Sequence, residues 1–329
     1  MSRAPLPVGV VGVGSLGFHH ARILREVAGA GMVGVFDVDP ARAARATAEL
    51  GVRAFSSLDD LLARAEAVVV AVPTTRHAEV ALPALERGVH LLIEKPIAST
   101  LEEADRIVAA ADARGVVIAT GHVERFNGAL RACESYLEGP RFVESHRLAP
   151  FNPRGTDVAV VLDLMIHDID LVLGLVGREV DEVHAVGVPV LSGSTDIANA
   201  RLSFDGGAVA NITASRVSLE RMRKIRFFQE SGYMSLDLAA GTGEFLRLKP
   251  GARLPEGEAG PAALLGLVDR IELRGDGAEP LRAELEAWVR AVRGEGPLVV
   301  SGHDGRRALA VALQIQQRIE DRVSAWQTA

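Results

Sequence analysis

The N-terminal stretch constrains the fold more than any other part of the chain. An apolar run over residues 7–11 leads into Gly12-x-Gly14-x-x-Gly17, and a helical pattern over 16–28 follows. In a dinucleotide-binding turn the first glycine makes the tight turn, the second lets a pyrophosphate approach the backbone, and the third lets helix and strand pack closely. The spacing therefore predicts a nucleotide-binding turn at the start of the chain.

A glycine triplet alone is weak evidence in a chain with 33 glycines, so the prediction depends on its context. A strand precedes the triplet, and the next strand, over residues 32–36, ends at the acidic Asp37. The amides of Ser15 and Leu16 begin the intervening helix, whose positive dipole end would face the pyrophosphate. Strand, turn, helix and acidic residue together favour a dinucleotide.

Asp37 also bears on which dinucleotide is bound. Its carboxylate would accept hydrogen bonds from the ribose 2′-hydroxyl and repel a 2′-phosphate, which favours NAD over NADP. Arg42 and Arg45 lie nearby in the sequence and could soften this preference. We therefore expect NAD as the cofactor.

Strands and helices alternate through the first third of the chain. The run over 67–72 is apolar without interruption, as expected of a parallel strand that helices cover on both faces. The fold class predicted is α/β, with an N-terminal Rossmann doubly wound parallel sheet. The other elements predicted here are a helix over 40–50, a strand over 53–55, a helix over 58–64 capped by Ser57, a helix ending at Gly88, a strand over 90–93, a helix opened by a Ser99-x-x-Glu102 capping box and ended by Gly115, and a strand over 116–119.

The strict alternation stops near residue 120, and 329 residues exceed the size at which one core usually stops growing. We therefore predict an NAD-binding Rossmann domain over 1–120 and, over 121–329, an α+β domain for substrate binding and oligomerisation. The second domain is expected to hold an open, mainly antiparallel sheet, and its last helix could pack back on the Rossmann domain. Its predicted elements are helices at 126–137, 157–176, 279–293 and 304–324 and strands at 141–148, 181–190, 197–204, 208–215, 224–230 and 233–238.

Composition excludes several classes of function. The net charge is −7, with 36 basic and 43 acidic residues mixed along the chain, which argues against nucleic acid as a partner. The single cysteine, Cys133, cannot form an internal disulfide, so a cytoplasmic location is expected. No apolar segment is long enough to span a bilayer.

The tripeptide Glu94-Lys95-Pro96 follows the strand over 90–93, at the sheet edge where open α/β folds bind ligands. Lys95 is one of three lysines in a chain with 33 arginines. Lysine can hold or relay a proton and arginine cannot, so Lys95 is a candidate catalytic group. The alternative is a solvated loop charge. Other residues expected to line the cofactor cleft are Pro73, Thr74, His77 and Glu94.

The segment over 157–176 predicts one helix, apolar on nearly every face and therefore buried. Asp163, His167 and Asp170 share a stripe of it, while Asp168 points elsewhere. Because unpaired buried charge is costly, the stripe should face partners or a wet cleft. A structural Asp–His pair is an alternative, and a metal site is a weaker one because no further ligand lies at suitable spacing.

These motifs resemble the glucose-fructose oxidoreductase/inositol dehydrogenase/MocA (Gfo/Idh/MocA) family over nearly the whole chain. The resemblance implies a two-domain oxidoreductase in which Lys95, Asp163 and His167 form the catalytic set and the antiparallel sheet supports a homodimer or homotetramer. Met165 departs from the family, since many members have glycine two residues before the histidine. This departure puts the substrate's approach over the helix in doubt.

A narrower resemblance, to the UDP-N-acetylglucosamine 3-dehydrogenases, lies in the runs over 121–127, 146–151 and 162–170. It implies oxidation of C3 of a sugar nucleotide. Arginines grip diphosphates bidentately, so the residues expected to bind substrate, besides Asp163 and His167, are Arg125, Asn127, Arg147 and Arg154. Structural salt bridges are the alternative for each arginine. A dehydrogenase of a free sugar or inositol and a non-catalytic NAD(H)-binding regulator stay open as other functions.

Overall fold

A computed structural model describes residues 4–152, 158–252 and 266–327. The described residues fall into two compact units, one drawn from Met1–Phe126 and Glu279–Ala310 and the other from Asn127–Ala278 and Val311–Ala329. Residues 279–310 therefore group with the first unit, which differs from the continuous 121–329 domain expected from the sequence. The C-terminal helix contributes residues to both units.

The first unit contains a five-stranded sheet with the order β2-β1-β3-β4-β5, parallel throughout. The predicted Rossmann sheet is confirmed. Its order reverses between β1 and β3, and ligands bind at this switch point in open α/β sheets. The elements are β1 (Leu6–Val11), α1 (Ser15–Leu24), β2 (Ala30–Phe36), α2 (Pro40–Leu50), α3 (Leu58–Leu62), β3 (Ala67–Val70), α4 (His77–Glu86), β4 (His90–Glu94), α5 (Leu101–Arg114) and β5 (Ile118–Gly121).

Local side chains explain where the helices of the first unit begin. The Asp39 side chain accepts from the Ala41 amide to cap α2, and Ser57 caps α3 as predicted. The capping box of α5 is shifted by one residue from its predicted place, because Thr100 is the N-cap and Glu103 reaches back to the Ser99 amide. The predicted strand over 53–55 is reduced to a single bridge between Val35 and Ala54.

The core of the first unit lies against both sides of its central strands. The side chains of β3 are fully buried, as the uninterrupted apolar run predicted. Leu285, Trp288 and Val289 of α8 (Pro280–Val292) join the same core as α1 and β1. This packing explains why the segment from Glu279 onward groups with the first unit.

The second unit is built on an eight-stranded sheet with the order β13-β12-β11-β10-β6-β9-β8-β7. All of its described pairs are antiparallel except β6 with β9, so the mainly antiparallel sheet is confirmed. Strands β12 and β13 are additions to the prediction. The strands are β6 (Phe142–Leu148), β7 (Val180–Val188), β8 (Ile197–Phe204), β9 (Val209–Ser215), β10 (Met222–Gln229), β11 (Gly232–Asp237), β12 (Thr242–Leu248) and β13 (Val268–Arg274).

The helices of this part of the chain differ in detail from those predicted. The helix expected over 126–137 is broken into a 3-10 turn at Val123–Phe126, the short α6 (Gly128–Cys133) and a second 3-10 turn at Glu134–Tyr136. Burial raises the pKa of the Cys133 thiol to about 12, so this cysteine is unreactive at neutral pH. The chain closes with α9 (Gly302–Gln327). Among the described helices, none has the length and apolar character needed to cross a membrane.

Candidate active site

The three glycines of the turn between β1 and α1 have two different roles. Gly12 has a φ of 84°, and a Cβ there would lie 2.7 Å from the Ala71 carbonyl oxygen. A Cβ on Gly17 would lie 1.8 Å from the Gly12 carbonyl oxygen. Gly14 differs, because its Cβ would meet nothing nearer than Arg42, 3.9 Å away. The fold itself therefore demands Gly12 and Gly17, whereas Gly14 leaves open space beside the first turn of α1.

This open space suits a pyrophosphate. Gly14 is the N-cap of α1 and has no side chain to cap the helix. The amides of the first helical turn, which include those of Ser15 and Leu16, lack carbonyl partners within the helix and would donate to an anion. A cavity of about 470 Å³ borders Gly14.

Asp37 lies at the end of β2 and lines the same cavity. Its carboxylate accepts from the Val13 amide at 2.7 Å and from the Asp39 amide at 2.8 Å. These bonds fix the carboxylate against the glycine turn, and its remaining lone pairs can still accept from ribose hydroxyls. Arg42 also lines the cavity, whereas the guanidinium of Arg45 stacks on the Phe18 ring. The turn, the acidic residue and the cavity thus fit a dinucleotide.

The loop after β3 brings one correction. Pro73 lines the cavity, and the half-buried Thr74 begins a short 3-10 turn. His77, predicted to bind cofactor, is 1% exposed, with Nδ1 2.9 Å from the Pro96 carbonyl and Nε2 3.0 Å from the Val72 carbonyl. Burial lowers its pKa. Both ring nitrogens face backbone carbonyls, so this histidine joins two loops instead of facing a ligand.

Glu94 ends β4 and is also turned into the protein. Its Oε1 lies 2.6 Å from Nε2 of the fully buried His20, and its Oε2 accepts from the Lys95 amide at 3.3 Å. Burial raises the pKa of Glu94, but the hydrogen bond from His20 and the neighbouring Lys95 lower it, and the pKa lies below its usual range. Glu94 is therefore an ionised, mostly buried anchor, which corrects its predicted place in the lining of the cofactor cleft. Lys95, the next residue, is half-buried.

His20 was missed by the sequence analysis. It lies three residues after Gly17, on the buried face of α1. The available signal was that His20 is a polar residue on the apolar face of the helix that follows the glycine turn. Because buried polar groups need partners, this position predicts a hydrogen-bond partner inside the protein.

In the second unit the proposed catalytic segment is not one regular helix. Val161–Met165 forms a π-helical turn that continues into α7 (Ile166–Val176). Asp163 lies in the π turn and His167 at the start of α7, and both are half-buried. Asp170 is 1% exposed, so of the two predicted settings, partners or a wet cleft, it does not have the wet cleft. Such π turns occur often at functional sites.

Asp168 of α7 and Arg147 of β6 form a buried ion pair. The Arg147 Nε lies 2.5 Å from Asp168 Oδ2, and Ser145 donates to Asp168 Oδ1 at 2.7 Å. The Arg147 side chain is 4% exposed and that of Asp168 2%. The assignment of Arg147 to substrate binding is therefore corrected, because its guanidinium is committed to the interior of the second unit.

Asn127 is corrected for a similar reason. Its Oδ1 accepts from the Ala129 amide to cap α6, and its Nδ2 donates to the Leu238 carbonyl at 2.9 Å. Arg125 is half-buried in the preceding 3-10 turn, and Arg154 lies outside the described residues. Asp163 and His167 belong to the second unit and Lys95 to the first. Within the described ranges, no three His, Cys, Asp or Glu side chains form a group that could hold a metal ion.

Comparison with known proteins assigns the class. The family model of the oxidoreductases with an NAD-binding Rossmann fold matches residues 6–122, and the Gfo/Idh/MocA C-terminal domain matches residues 124–235. The chain belongs to the Gfo/Idh/MocA oxidoreductase family. It is an NAD-binding oxidoreductase, as its glycine turn and Asp37 had indicated.

The chain is similar to a UDP-N-acetylglucosamine 3-dehydrogenase of Acidithiobacillus ferrooxidans, with 40% identity over 95% of this chain and 96% of that protein. The crystal structure of that dehydrogenase aligns with a TM-score of 0.87 over 97% of this chain and 99% of its own. A myo-inositol 2-dehydrogenase of Thermotoga maritima is 25% identical over 96% of this chain and 97% of its own. The scyllo-inositol dehydrogenase of Lactobacillus casei, solved with NAD(H) and scyllo-inositol, shares the fold at a TM-score of 0.77, 21% identity and coverages of 97% and 98%.

Proposed function

We propose that this protein oxidises the C3 hydroxyl of UDP-N-acetylglucosamine to the 3-keto sugar. The observation that carries the proposal is the 40% identity, over 95% of this chain, to an enzyme named for that reaction. Two relatives named as inositol 2-dehydrogenases and matched over about the same length are more distant, at 25% and 31% identity. Substrate choice can depend on a few side chains, so the assignment requires a direct test.

Three residues would perform the chemistry. His167 takes the proton of the substrate hydroxyl as general base, since histidine exchanges protons readily near neutral pH. Asp163 orients the imidazole, and Lys95 stabilises the negative charge that develops on the substrate oxygen. NAD, when bound, accepts the hydride. The half-buried settings of all three side chains are compatible with contact to a ligand.

The amides at the start of α1 and the Asp37 carboxylate would hold the cofactor. Gly12 and Gly17 shape this turn, and Gly14 gives the pyrophosphate access to the backbone. Pro73 and the neighbouring Thr74 would lie along the cofactor. The cavity beside Gly14, Asp37 and Pro73 supports these proposed roles.

The diphosphate of the substrate needs cationic partners. With Arg147 and Asn127 engaged inside the second unit, Arg125 and Arg154 are the members of the predicted set that stay as proposals. The reduced set also keeps a second candidate function in view, a dehydrogenase of a free sugar or inositol. The homo-oligomer formed through the second sheet and the cytoplasmic location stay predictions.

The test is a substrate panel followed by NADH fluorescence, with UDP-N-acetylglucosamine, free N-acetylglucosamine and myo-inositol. We expect kcat/KM for the nucleotide sugar to exceed that for either free polyol by at least about a hundredfold, because remote binding energy supports the reaction. UDP alone should inhibit competitively. Equal efficiency with a free polyol, together with no inhibition by UDP, would reject the nucleotide sugar in favour of the second candidate. No turnover with any member would favour the non-catalytic regulator.

A further inference from the structure

We propose that His20 and His77 are positioning residues that hold the Glu94-Lys95-Pro96 segment from its two ends and so fix the placement of Lys95. The inference rests on the proposed catalytic role of Lys95. It assigns a purpose to two buried histidines, on two different helices, that do not line the cavity beside the glycine turn. Both histidines, the segment and the contacts between them lie in the first unit.

The first hold is the pair of His20 and Glu94. His20 is 0% exposed on α1, and its Nε2 lies 2.6 Å from Glu94 Oε1. Its Nδ1 is buried with no hydrogen-bond partner among the described residues. A second N–H at Nδ1 would be a buried donor without an acceptor, so the neutral ring with its proton on Nε2 fits the site best. His20 therefore donates to the carboxylate, and the pair keeps one negative charge.

The space around the Glu94 carboxylate is shaped to hold it. A Cβ at Gly121, on the neighbouring strand β5, would lie 2.9 Å from Oε2 and 3.1 Å from Oε1. The glycine thus gives the carboxylate its place against the backbone of β5. Oε2 in turn accepts from the Lys95 amide. The carboxylate is bound on one side by His20 and on the other by the backbone of the residue that it positions.

The second hold is His77, at the start of α4. Its Nδ1 contacts the carbonyl of Pro96, the residue that follows Lys95, and its Nε2 contacts the carbonyl of Val72. The neutral imidazole, which burial favours, donates to one of these carbonyls and packs against the other, and only the protonated ring donates to both. In either form the ring lies between the loop after β4 and the loop after β3. Lys95 lies between a residue tied to α1 and a residue tied to α4.

This arrangement has a mechanical consequence for catalysis. A short segment that is fixed at both ends cannot shift its central backbone, so the conformers of Lys95 are limited to those of its own side chain. Misplacement of a catalytic group by about 1 Å can lower a rate by about a hundredfold. Release of either hold should therefore affect the chemical step more than cofactor binding.

The test uses the three lysines of the chain as reporters. Reductive methylation with 13C-formaldehyde labels Lys95, Lys224 and Lys249 together with the terminal amine, and Lys95→Arg identifies the Lys95 resonance. The variants are His20→Ala, His20→Gln and His77→Leu. His90→Ala is the matched control, because His90 begins the same strand β4 and accepts from the Val117 amide at 2.8 Å, but lies at the opposite end from Lys95.

We expect the Lys95 resonance to move by more than its line width in His20→Ala and in His77→Leu and to stay in place in His90→Ala. His20→Gln should restore it, because the glutamine amide can donate from nearly the place of Nε2. In turnover, His20→Ala should lower kcat about tenfold or more, while the Kd for NADH changes less than about threefold. If His20→Ala does not fold, His20→Asn, whose amide is too short to reach, replaces it in the comparison.

An unmoved Lys95 resonance in the His20 and His77 variants would overturn the proposal. So would an equal shift in His90→Ala, since the effect would then reflect general loosening of the sheet. The resonance requires no substrate. Failure of the wild type to oxidise any sugar would therefore count against the proposed function, while the NMR comparison would still decide whether the two histidines position Lys95.

Discussion

Each unit places a buried carboxylate beside a proposed catalytic residue. Glu94 precedes Lys95 in the first unit, and Asp168 follows His167 in the second. The partners differ, since Glu94 is bound by a neutral imidazole and Asp168 by a guanidinium. The first pair keeps a negative charge next to a cationic lysine, whereas the second pair is neutral overall next to the general base. Both carboxylates are buried and held by a hydrogen-bonded partner, but the two pairs differ in net charge.

The two units also contain different kinds of buried polar contact. In the first unit the Asp37 carboxylate accepts from the backbone amides of Val13 and Asp39. In the second unit the buried ion pairs Arg147–Asp168 and Arg216–Asp196 join side chains to one another. The first pattern shapes a turn around a ligand, and the second braces a sheet and helix.

The largest effects should follow removal of the proposed catalytic residues beside the two carboxylates. Lys95→Ala and His167→Gln should each lower kcat by about 10²–10⁴ with little change in NAD affinity, as is typical of acid–base groups. Steady-state kinetics and NADH titration measure the two quantities. Asp163→Asn should cost less, because it removes orientation and not the base. Near wild-type turnover in His167→Gln would make the histidine structural and Lys95 the first alternative base.

Loss of the Arg147–Asp168 pair should lower the stability of the protein and should not lower its affinity for the substrate. Arg147→Ala leaves a buried carboxylate uncompensated, which typically costs about 3–5 kcal/mol of unfolding free energy. Arg226→Ala is the control, because its pair with Glu144 lies on the same sheet with side-chain exposures of 44% and 26%. Its loss should cost less than about 1 kcal/mol. Urea denaturation compares the two variants, and equal stabilities would show that the buried pair is not a brace.

The glycine turn offers a smaller and more selective test. Gly14→Ala should leave the unfolding midpoint nearly unchanged, because its Cβ has open space, yet weaken NAD binding about tenfold or more. Gly17→Ala should lower both, because its Cβ overlaps the Gly12 carbonyl. Thermal denaturation and NADH titration distinguish the two outcomes. Unchanged NAD affinity in Gly14→Ala would remove the pyrophosphate from this turn.

The smallest effect concerns cofactor preference. We expect kcat/KM with NAD to exceed that with NADP by about tenfold, because Asp37 repels a 2′-phosphate. Arg42 lines the same cavity, so Arg42→Ala should widen the preference, whereas Arg45→Ala should not, since Arg45 stacks on Phe18. Equal efficiencies with the two cofactors in the wild type would contradict the role of Asp37.

The sequence predicted the first unit more completely than the second, for physical reasons. Gly12, Gly17 and Asp37 act within a local motif, so their spacing together with the flanking strands and helix locates them. Arg147 and Asn127 were misassigned because their partners, Asp168 and Leu238, are distant in the sequence and close only in the fold. The apolar pattern of the segment that carries Asp163 and His167 predicted its burial. It could not reveal the π turn, because a segment that is apolar on nearly every face does not show the shift in period that a π turn introduces.

His20 and the segment after Glu279 also have partners that are distant in the sequence and could not be predicted from it. Residues of α1 and β4 are far apart in sequence, so nothing local pairs His20 with Glu94. The packing of α8 against α1 is likewise a long-range contact that periodicity does not encode. Local chemistry was predictable, and partners brought together by the sheet order were not.

The most direct test of the proposed function follows a single hydrogen atom. UDP-N-acetylglucosamine carrying deuterium at C3 is incubated with the protein and NAD, and the mass of the recovered NADH is measured by mass spectrometry. Oxidation at C3 predicts NADH heavier by one deuterium, together with slower turnover than the unlabelled substrate if hydride transfer limits the rate. Formation of unlabelled NADH would show that another carbon is oxidised and would contradict the assignment.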